Sequence, residues 1–160
     1  MFYPKYSGNI LPYYYKKADI RDINWGFDGF YPQFEFGFGL SYTTFEYSNL
    51  KINKDTLSGS DEFKVTVDVK NSGKKEGKET IQVFIKDLVA TVSPDAKKLV
   101  RFTKINLKAG ATKTIDFNLN TKDLESIGIN NKWIIEDGEF EILVGGNPQE
   151  LLKQKVYFKN

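Results

Sequence analysis

The sequence contains neither cysteine nor histidine. Without cysteine there is no disulfide framework and no thiol nucleophile. Without histidine, the chain lacks the commonest general base and the commonest transition-metal ligand. Catalysis by Ser-His-Asp or Cys-His arrangements is therefore excluded, and we expect neither a cofactor nor a metal site.

Long apolar runs and blocks of like charge are missing as well. The sequence has no run of about 18 apolar residues, which is the length that a membrane-spanning helix needs. The 23 basic and 21 acidic residues give a net charge of +2 and are mixed along the chain. This charge pattern predicts neither nucleic acid nor a membrane as a partner. The length of 160 residues is enough for one domain with its own core.

Aromatic residues are concentrated at the N-terminus, where residues 1–47 hold 16 of the 24 in the chain. The same region contains Pro4, Pro12 and Pro32 and shows almost no helical or strand periodicity. Side chains of this size need a surface to bury against. We therefore predict an extended, aromatic-rich arm that packs on another body, either the domain that follows or one outside this sequence. Without that partner, the exposed aromatic area should favour self-association or disorder.

A second interpretation of the arm is carbohydrate binding by a free-standing module. Exposed aromatic rings can form a platform on which sugar rings stack. The candidate sugar contacts are Tyr14, Trp25 and Tyr31. Packing against protein is the simpler interpretation of the same side chains, and the sequence leaves both open.

Short alternating segments separated by turn signals follow Phe45, a pattern typical of an antiparallel sandwich. The clearest is 63–69, where phenylalanine and valine alternate with charged or polar residues. Similar alternation recurs at 81–85, 115–119, 140–144 and 152–158. The apolar parity changes between Phe102 and Ile105, which predicts a bulge or break near Thr103. We therefore expect an all-β fold of about seven or eight strands.

A short stretch at residues 36–47 connects the aromatic arm to the predicted strands. Its sequence is Phe-Gly-Phe-Gly-Leu-Ser-Tyr-Thr-Thr-Phe-Glu-Tyr. This string resembles the start of the C-terminal fibronectin type III-like domain of family-3 glycoside hydrolases, the β-glucosidases and β-xylosidases. Residues 65–79, 81–87 and 133–146 resemble later strands and the final hairpin of that domain. Residues 1–35 resemble the end of the preceding α/β sandwich domain and its linker.

The resemblance implies two regions in the chain. Residues 1–42 would be the tail of the α/β sandwich domain with a linker arm, and 43–160 an immunoglobulin/fibronectin type III-like sandwich. Gly37 and Gly39 allow backbone angles or close approaches that a side chain would forbid. Together with Phe36, Leu40 and Tyr42, they are the residues that we expect to pack between the sandwich and a neighbouring domain.

The resemblance also implies a role without catalysis. The family's nucleophile is an aspartate of an N-terminal barrel, and its acid/base is usually a glutamate of the α/β sandwich domain. Both precede the matched region, so neither corresponds to a residue of this sequence. The carboxylates present here are interpreted as solvent-facing positions of strands and turns, and no catalytic residue is expected.

The expected partners are the barrel and α/β domains of a parent β-glucosidase-type enzyme, in the same chain or in a separate one. We interpret the sequence as a truncated fragment of such an enzyme, which would be a hydrolase that acts in carbohydrate metabolism. Enzymes of this family are commonly periplasmic or secreted, but this sequence does not identify a compartment.

Overall fold

The computed structural model describes residues 33–34, 37–147 and 150–160. The regular structure of these residues consists of ten strands and one short 3-10 helix. In chain order they are β1 (Phe45–Ile52), β2 (Thr56–Leu57), β3 (Glu62–Asn71), β4 (Gly77–Asp87), β5 (Lys98–Leu107), β6 (Thr112–Asn120), the 3-10 helix Thr121–Leu124, β7 (Ser126–Ile127), β8 (Trp133–Ile134), β9 (Gly138–Asn147) and β10 (Glu150–Phe158).

The strands form two main sheets and one small ribbon. One sheet has the order β1-β3-β6, the other has the order β2-β10-β9-β4-β5, and β7 pairs with β8. All pairs are antiparallel except β2 with β10. The predicted all-β sandwich is therefore confirmed. The strand count exceeds the prediction because β2, β7 and β8 have two residues each, too few to show an alternating pattern.

Alternation along β3 places one face of that strand in the core. Phe63, Val65, Val67 and Val69 are each at most 3% exposed. Inward side chains of both sheets complete the same cluster, among them Ile81, Val83, Ile115, Phe117, Leu119, Phe140, Ile142, Val144, Val156 and Phe158. Full burial of a side chain of this kind contributes about 1.5–3 kcal/mol. Apolar burial therefore holds the two sheets together in a chain that has no cysteine.

The interior strand β4 is buried on both faces, which the sequence pattern did not predict. The alternating residues at 81–85 face the core as expected. Gln82 and Phe84 point to the opposite face and are nevertheless only 6% and 2% exposed. A Cβ atom at Gly37 would lie 2.7 Å from the side-chain amide of Gln82. The linker therefore lies directly against the outer face of β4.

The irregularity in β5 lies at Val100, and the predicted position near Thr103 was wrong. Arg101 and Leu99 pair with consecutive residues of β4, so Val100 is the extra residue of a bulge. Val100 packs against the core, whereas Phe102 faces outward and is 69% exposed. The parity change in the sequence indicates a bulge without locating it, because the pairing partner decides which residue is extra.

A second bulge interrupts β1 between Ser48 and Lys51. Asn49 adopts a φ of 54°, in the left-handed region that asparagine tolerates better than most residues. The single extra residue shifts the alternation of β1, so that Tyr47 and Leu50 both pack against the core. Tyr47 thereby reaches the opposite sheet.

Candidate interdomain contact surface

The linker is attached to the sandwich at Thr43 and Thr44. The Thr43 hydroxyl donates to Asn71 Oδ1 at 2.6 Å, and the Ser72 N–H donates to the Thr44 carbonyl at 2.9 Å. Both partners lie at the end of β3, and β1 begins at Phe45. The chain therefore passes from linker to paired strand at a fixed point.

Asn71 is fully buried at this point, and its side chain uses both amide atoms. Asn71 Nδ2 donates to the carbonyls of Lys75 and Leu107 at 2.8 and 2.9 Å. Its Oδ1 accepts from the Gly73 N–H at 3.1 Å and from Thr43. One buried amide thus joins the linker, the 71–77 turn and the end of β5. Asn71 is the last residue of β3.

Two glycines leave the space that Thr43 occupies. A Cβ at Gly73 would collide with Thr43 Oγ1, and a Cβ at Gly77 would lie 2.6 Å from Thr43 Cγ2. Real Cβ atoms essentially never approach a heavy atom within 3.0 Å. Thr43 is therefore enclosed by backbone on the side facing the sandwich.

The predicted contact residues differ in their surroundings. Gly37 has a φ of 83°, while a Cβ at Gly39 would meet no heavy atom within 4 Å. Leu40 and Tyr42 are 93% and 94% exposed. Phe36 lies outside the described residues. Two large apolar side chains thus face solvent immediately before the fixed Thr43.

Further exposed aromatic rings lie on the same segment. Phe34 and Phe38 stack with their ring centroids 4.8 Å apart and are 43% and 41% exposed. The ammonium group of Lys75 lies 5.9 Å from the centroid of the Tyr42 ring, within the range of a cation–π interaction. Phe34, Phe38, Leu40 and Tyr42 are hereafter called the linker surface.

A polar pair joins the two sheets. The Tyr47 hydroxyl on β1 donates to Glu79 Oε1 on β4 at 2.7 Å. Burial raises the pKa of Tyr47 far above its usual range, and the nearby carboxylate acts in the same direction. Burial also raises the pKa of Glu79, although the hydrogen bond from Tyr47 opposes that shift. A Cβ at Gly146 would collide with the Glu79 carboxylate, so glycine at this position leaves room for the pair.

A groove at the other end of the sandwich was missed from the sequence. It has a volume of about 420 Å³, and the exposed Trp133 forms part of its lining. The signal in the sequence is Trp133 itself, although the resemblance places it only in the final hairpin.

Two groups of predictions remain predictions. The suggested sugar contacts Tyr14, Trp25 and Tyr31 lie outside the described residues. The boundary between residues 42 and 43 also stays a prediction; it coincides with the first attachment of the linker to β3.

Metal-binding clusters and membrane-spanning helices are not found in the described ranges. No three or more Asp or Glu residues there are grouped so that they could hold a metal ion. No helix there is long and apolar enough to cross a membrane.

Comparison with known proteins identifies the domain. Residues 79–147 match the family of fibronectin type III-like domains. The chain is 40% identical over 130 residues to thermostable β-glucosidase B of Acetivibrio thermocellus, covering 80% of this chain and 17% of that protein. It is 35% identical over 150 residues to a β-xylosidase of Formosa agariphila, covering 92% of this chain and 21% of that protein.

A solved structure gives the same result. The β-glucosidase of Erythrobacter marinus superposes with a TM-score of 0.83 at 30% identity, covering 92% of this chain and 20% of that one. The chain thus spans about a fifth of the length of the relatives it matches. It belongs to the fibronectin type III-like domain family, in the form found in family-3 glycoside hydrolases.

Proposed function

We propose that this chain is a non-catalytic module that packs against the other domains of a family-3 glycoside hydrolase. The parent enzyme would hydrolyse terminal β-D-glucosyl or related residues, as expected for relatives named β-glucosidase and β-xylosidase. The observation that carries the proposal is the exposure of Leu40 and Tyr42 beside the fixed Thr43.

The linker surface has the composition of a protein contact. Aromatic residues are enriched and charged residues are depleted at the centre of such interfaces. Burial of one leucine or aromatic side chain contributes about 1.5–3 kcal/mol. A neighbouring domain that covered Leu40 and Tyr42 would therefore gain several kcal/mol without any change in the sandwich.

The attachment at Thr43 supports contact in a defined orientation. Since Thr43 is hydrogen-bonded to the buried Asn71, the side chains just before it leave the sandwich in one direction. Fixing a segment in its bound conformation lowers the entropy cost of association. The module would thus orient its neighbours, in the same chain or as a separate polypeptide.

A chimera tests this role. The chain would replace the matching segment of thermostable β-glucosidase B of Acetivibrio thermocellus, and hydrolysis of an aryl β-glucoside would be followed with heating. We expect an active chimera whose half-life falls when Leu40 and Tyr42 are both changed to Asp. Ile129→Asp is the matched control, because Ile129 is 73% exposed in the turn between β7 and β8.

Two results would overturn the proposal. One is turnover of the aryl glucoside by the purified chain alone, persisting through further purification. The other is equal thermal inactivation of the chimera with Leu40→Asp/Tyr42→Asp and the chimera with Ile129→Asp.

A further inference from the structure

The groove at the far end of the sandwich has an apolar floor and mixed walls. Ile85, Leu124 and Phe140 line the floor and are at most 4% exposed. One wall contains residues 92–95 and the other contains residues 125–127. The volume of about 420 Å³ is within the range typical of small-molecule sites.

Hydrogen bonds fix both walls in place. The Lys98 ammonium donates to the Glu125 carbonyl at 2.7 Å, which joins β5 to the segment after the 3-10 helix. The Thr91 N–H donates to Glu136 Oε2 at 2.7 Å, which holds the opposite connection against the region before β9. The groove is therefore formed by the folded chain itself and does not need a ligand to open it.

The lining combines a flat aromatic face with hydrogen-bond acceptors. Trp133 is 64% exposed, so most of its indole is accessible at the rim. Asp87, Asp95 and Glu125 also line the groove, and a carboxylate offers about four acceptor sites. Lys98 also lines the groove, and its ammonium group donates to the main-chain carbonyl of Glu125 in one wall.

This combination selects against several ligand classes. An anion would meet three acidic residues and one lysine, so the net negative charge of the lining would repel it. A purely apolar ligand would fit the floor but would remove water from the carboxylates without replacing their hydrogen bonds. A pyranose ring has an apolar C–H face and several hydroxyl donors, and it carries no charge. That chemistry matches the apolar floor, the indole and the acceptors together.

We propose that this groove binds a neutral mono- or disaccharide, with one pyranose ring on Trp133 and hydroxyls donating to Asp87 and Asp95. The site goes beyond the packing role described above and uses none of the residues of the linker surface. It also differs from the arm residues considered as sugar contacts from the sequence.

Fluorescence of a single-tryptophan variant tests the site directly. The chain has two tryptophans, so Trp25→Phe leaves Trp133 as the only one. Glucose, cellobiose and xylobiose would be added up to about 100-fold beyond the protein, with sorbitol as an acyclic polyol control. We expect a saturable change in emission with at least one of the cyclic sugars and none with sorbitol. No change with any cyclic sugar would overturn the proposal.

Saturation-transfer NMR on the full chain gives a second measurement that does not need a tryptophan signal. Trp133→Ala should abolish transfer to the sugar, and Asp95→Asn should weaken it several-fold while preserving the shape of the side chain. Phe102→Ala is the control, since Phe102 is an exposed aromatic residue of β5 outside the lining, and it should leave the transfer unchanged.

The same variants distinguish binding in the groove from binding on the arm. Transfer that persists in Trp133→Ala and disappears in Trp25→Phe would place binding on the arm and contradict the groove proposal. Thermal unfolding of each variant checks that the fold is retained. Loss of sugar binding in the groove variants with unchanged stability of the chimera would separate this site from domain packing.

Discussion

Thr43 and Asn71 meet across 28 positions of sequence at a 2.6 Å hydrogen bond. Asn71 is fully buried and simultaneously bonds the turn after β3 and the end of β5. The point at which the linker joins the sandwich is therefore also a point at which three segments of the sandwich are held together. A neighbouring domain bound to Leu40 and Tyr42, as proposed above, would lie beside this contact.

Replacing Asn71 by Ala tests how much the fold depends on that amide. The change leaves the carbonyls of Lys75 and Leu107 without their donor, and an unsatisfied buried polar group costs about 1–3 kcal/mol. We expect the free energy of unfolding in urea to fall by about 3 kcal/mol. Asn118→Ala is the control, since Asn118 is exposed on β6 and should change stability by less than about 0.5 kcal/mol. Equal effects of the two changes would contradict this role for Asn71.

The two linker glycines are expected to respond differently to alanine. Gly37 has a positive φ, and its Cβ would approach the Gln82 amide, so Gly37→Ala should displace the linker from β4. Gly39→Ala should have little effect, because no heavy atom lies near its Cβ position. Limited proteolysis between residues 38 and 43 measures the difference, with faster cleavage expected only in Gly37→Ala.

A double variant separates the two causes of strain at Gly37. Gln82→Ala removes the neighbouring amide but leaves the positive φ unchanged. Cleavage of Gly37→Ala/Gln82→Ala should therefore lie between that of Gly37→Ala and that of the unchanged chain. If Gly39→Ala were cleaved as fast as Gly37→Ala, close contact with β4 would not be what holds the linker.

The sandwich could be predicted because half-buried strands carry a period of two in their sequence. Val65, Val67 and Val69 show it plainly, and each is fully buried. Gln82 and Phe84 depart from this pattern because β4 lies between β9 and β5 and is covered on its outer face. That cover depends on which strands become neighbours, which no local pattern records.

The contacts at the linker could be predicted only in part. The glycine-aromatic string indicated a junction, and Leu40 and Tyr42 are 93% and 94% exposed there, but their packing against another domain stays a prediction. The part played by Asn71 could not be predicted, since its partner Leu107 lies 36 positions away. An asparagine beside Ser72 and Gly73 is also what an ordinary turn contains.

The pair formed by Tyr47 and Glu79 predicts a dependence of stability on pH. Burial raises the pKa of Glu79, so between its ordinary value and its raised value the folded state binds more protons than the unfolded state. Stability should therefore fall as pH rises through that interval above about 4.5. Glu79→Gln keeps an oxygen acceptor for Tyr47 and removes the titration. Urea unfolding between pH 4 and pH 7 should show a smaller decline in Glu79→Gln than in the unchanged chain.

Tyr47 predicts a second decline in alkali. The phenol ionises near pH 10 in the unfolded chain, but burial raises its pKa and keeps it neutral to higher pH in the folded one. The folded state then holds the extra proton, so stability should fall as pH rises above about 10. Tyr47→Phe should lose this alkaline decline and, at neutral pH, should be less stable by about 1–3 kcal/mol because Glu79 loses its donor. An alkaline decline of the same size in Tyr47→Phe would assign it to other groups.

Arg101 and Asp123 allow a comparison between a bidentate ion pair and a simple one. Arg101 Nη1 and Nη2 donate to the two oxygens of Asp123, each at 2.9 Å, joining β5 to the 3-10 helix. Lysine cannot reproduce this planar geometry, so Arg101→Lys should lower stability by about 1 kcal/mol. Lys155→Ala removes a 2.8 Å pair with Glu139 whose side chains are both more than half exposed, and should cost less stability than Arg101→Lys. Urea unfolding at low and high salt measures both, and an equal loss would mean that the bidentate geometry adds nothing to stability.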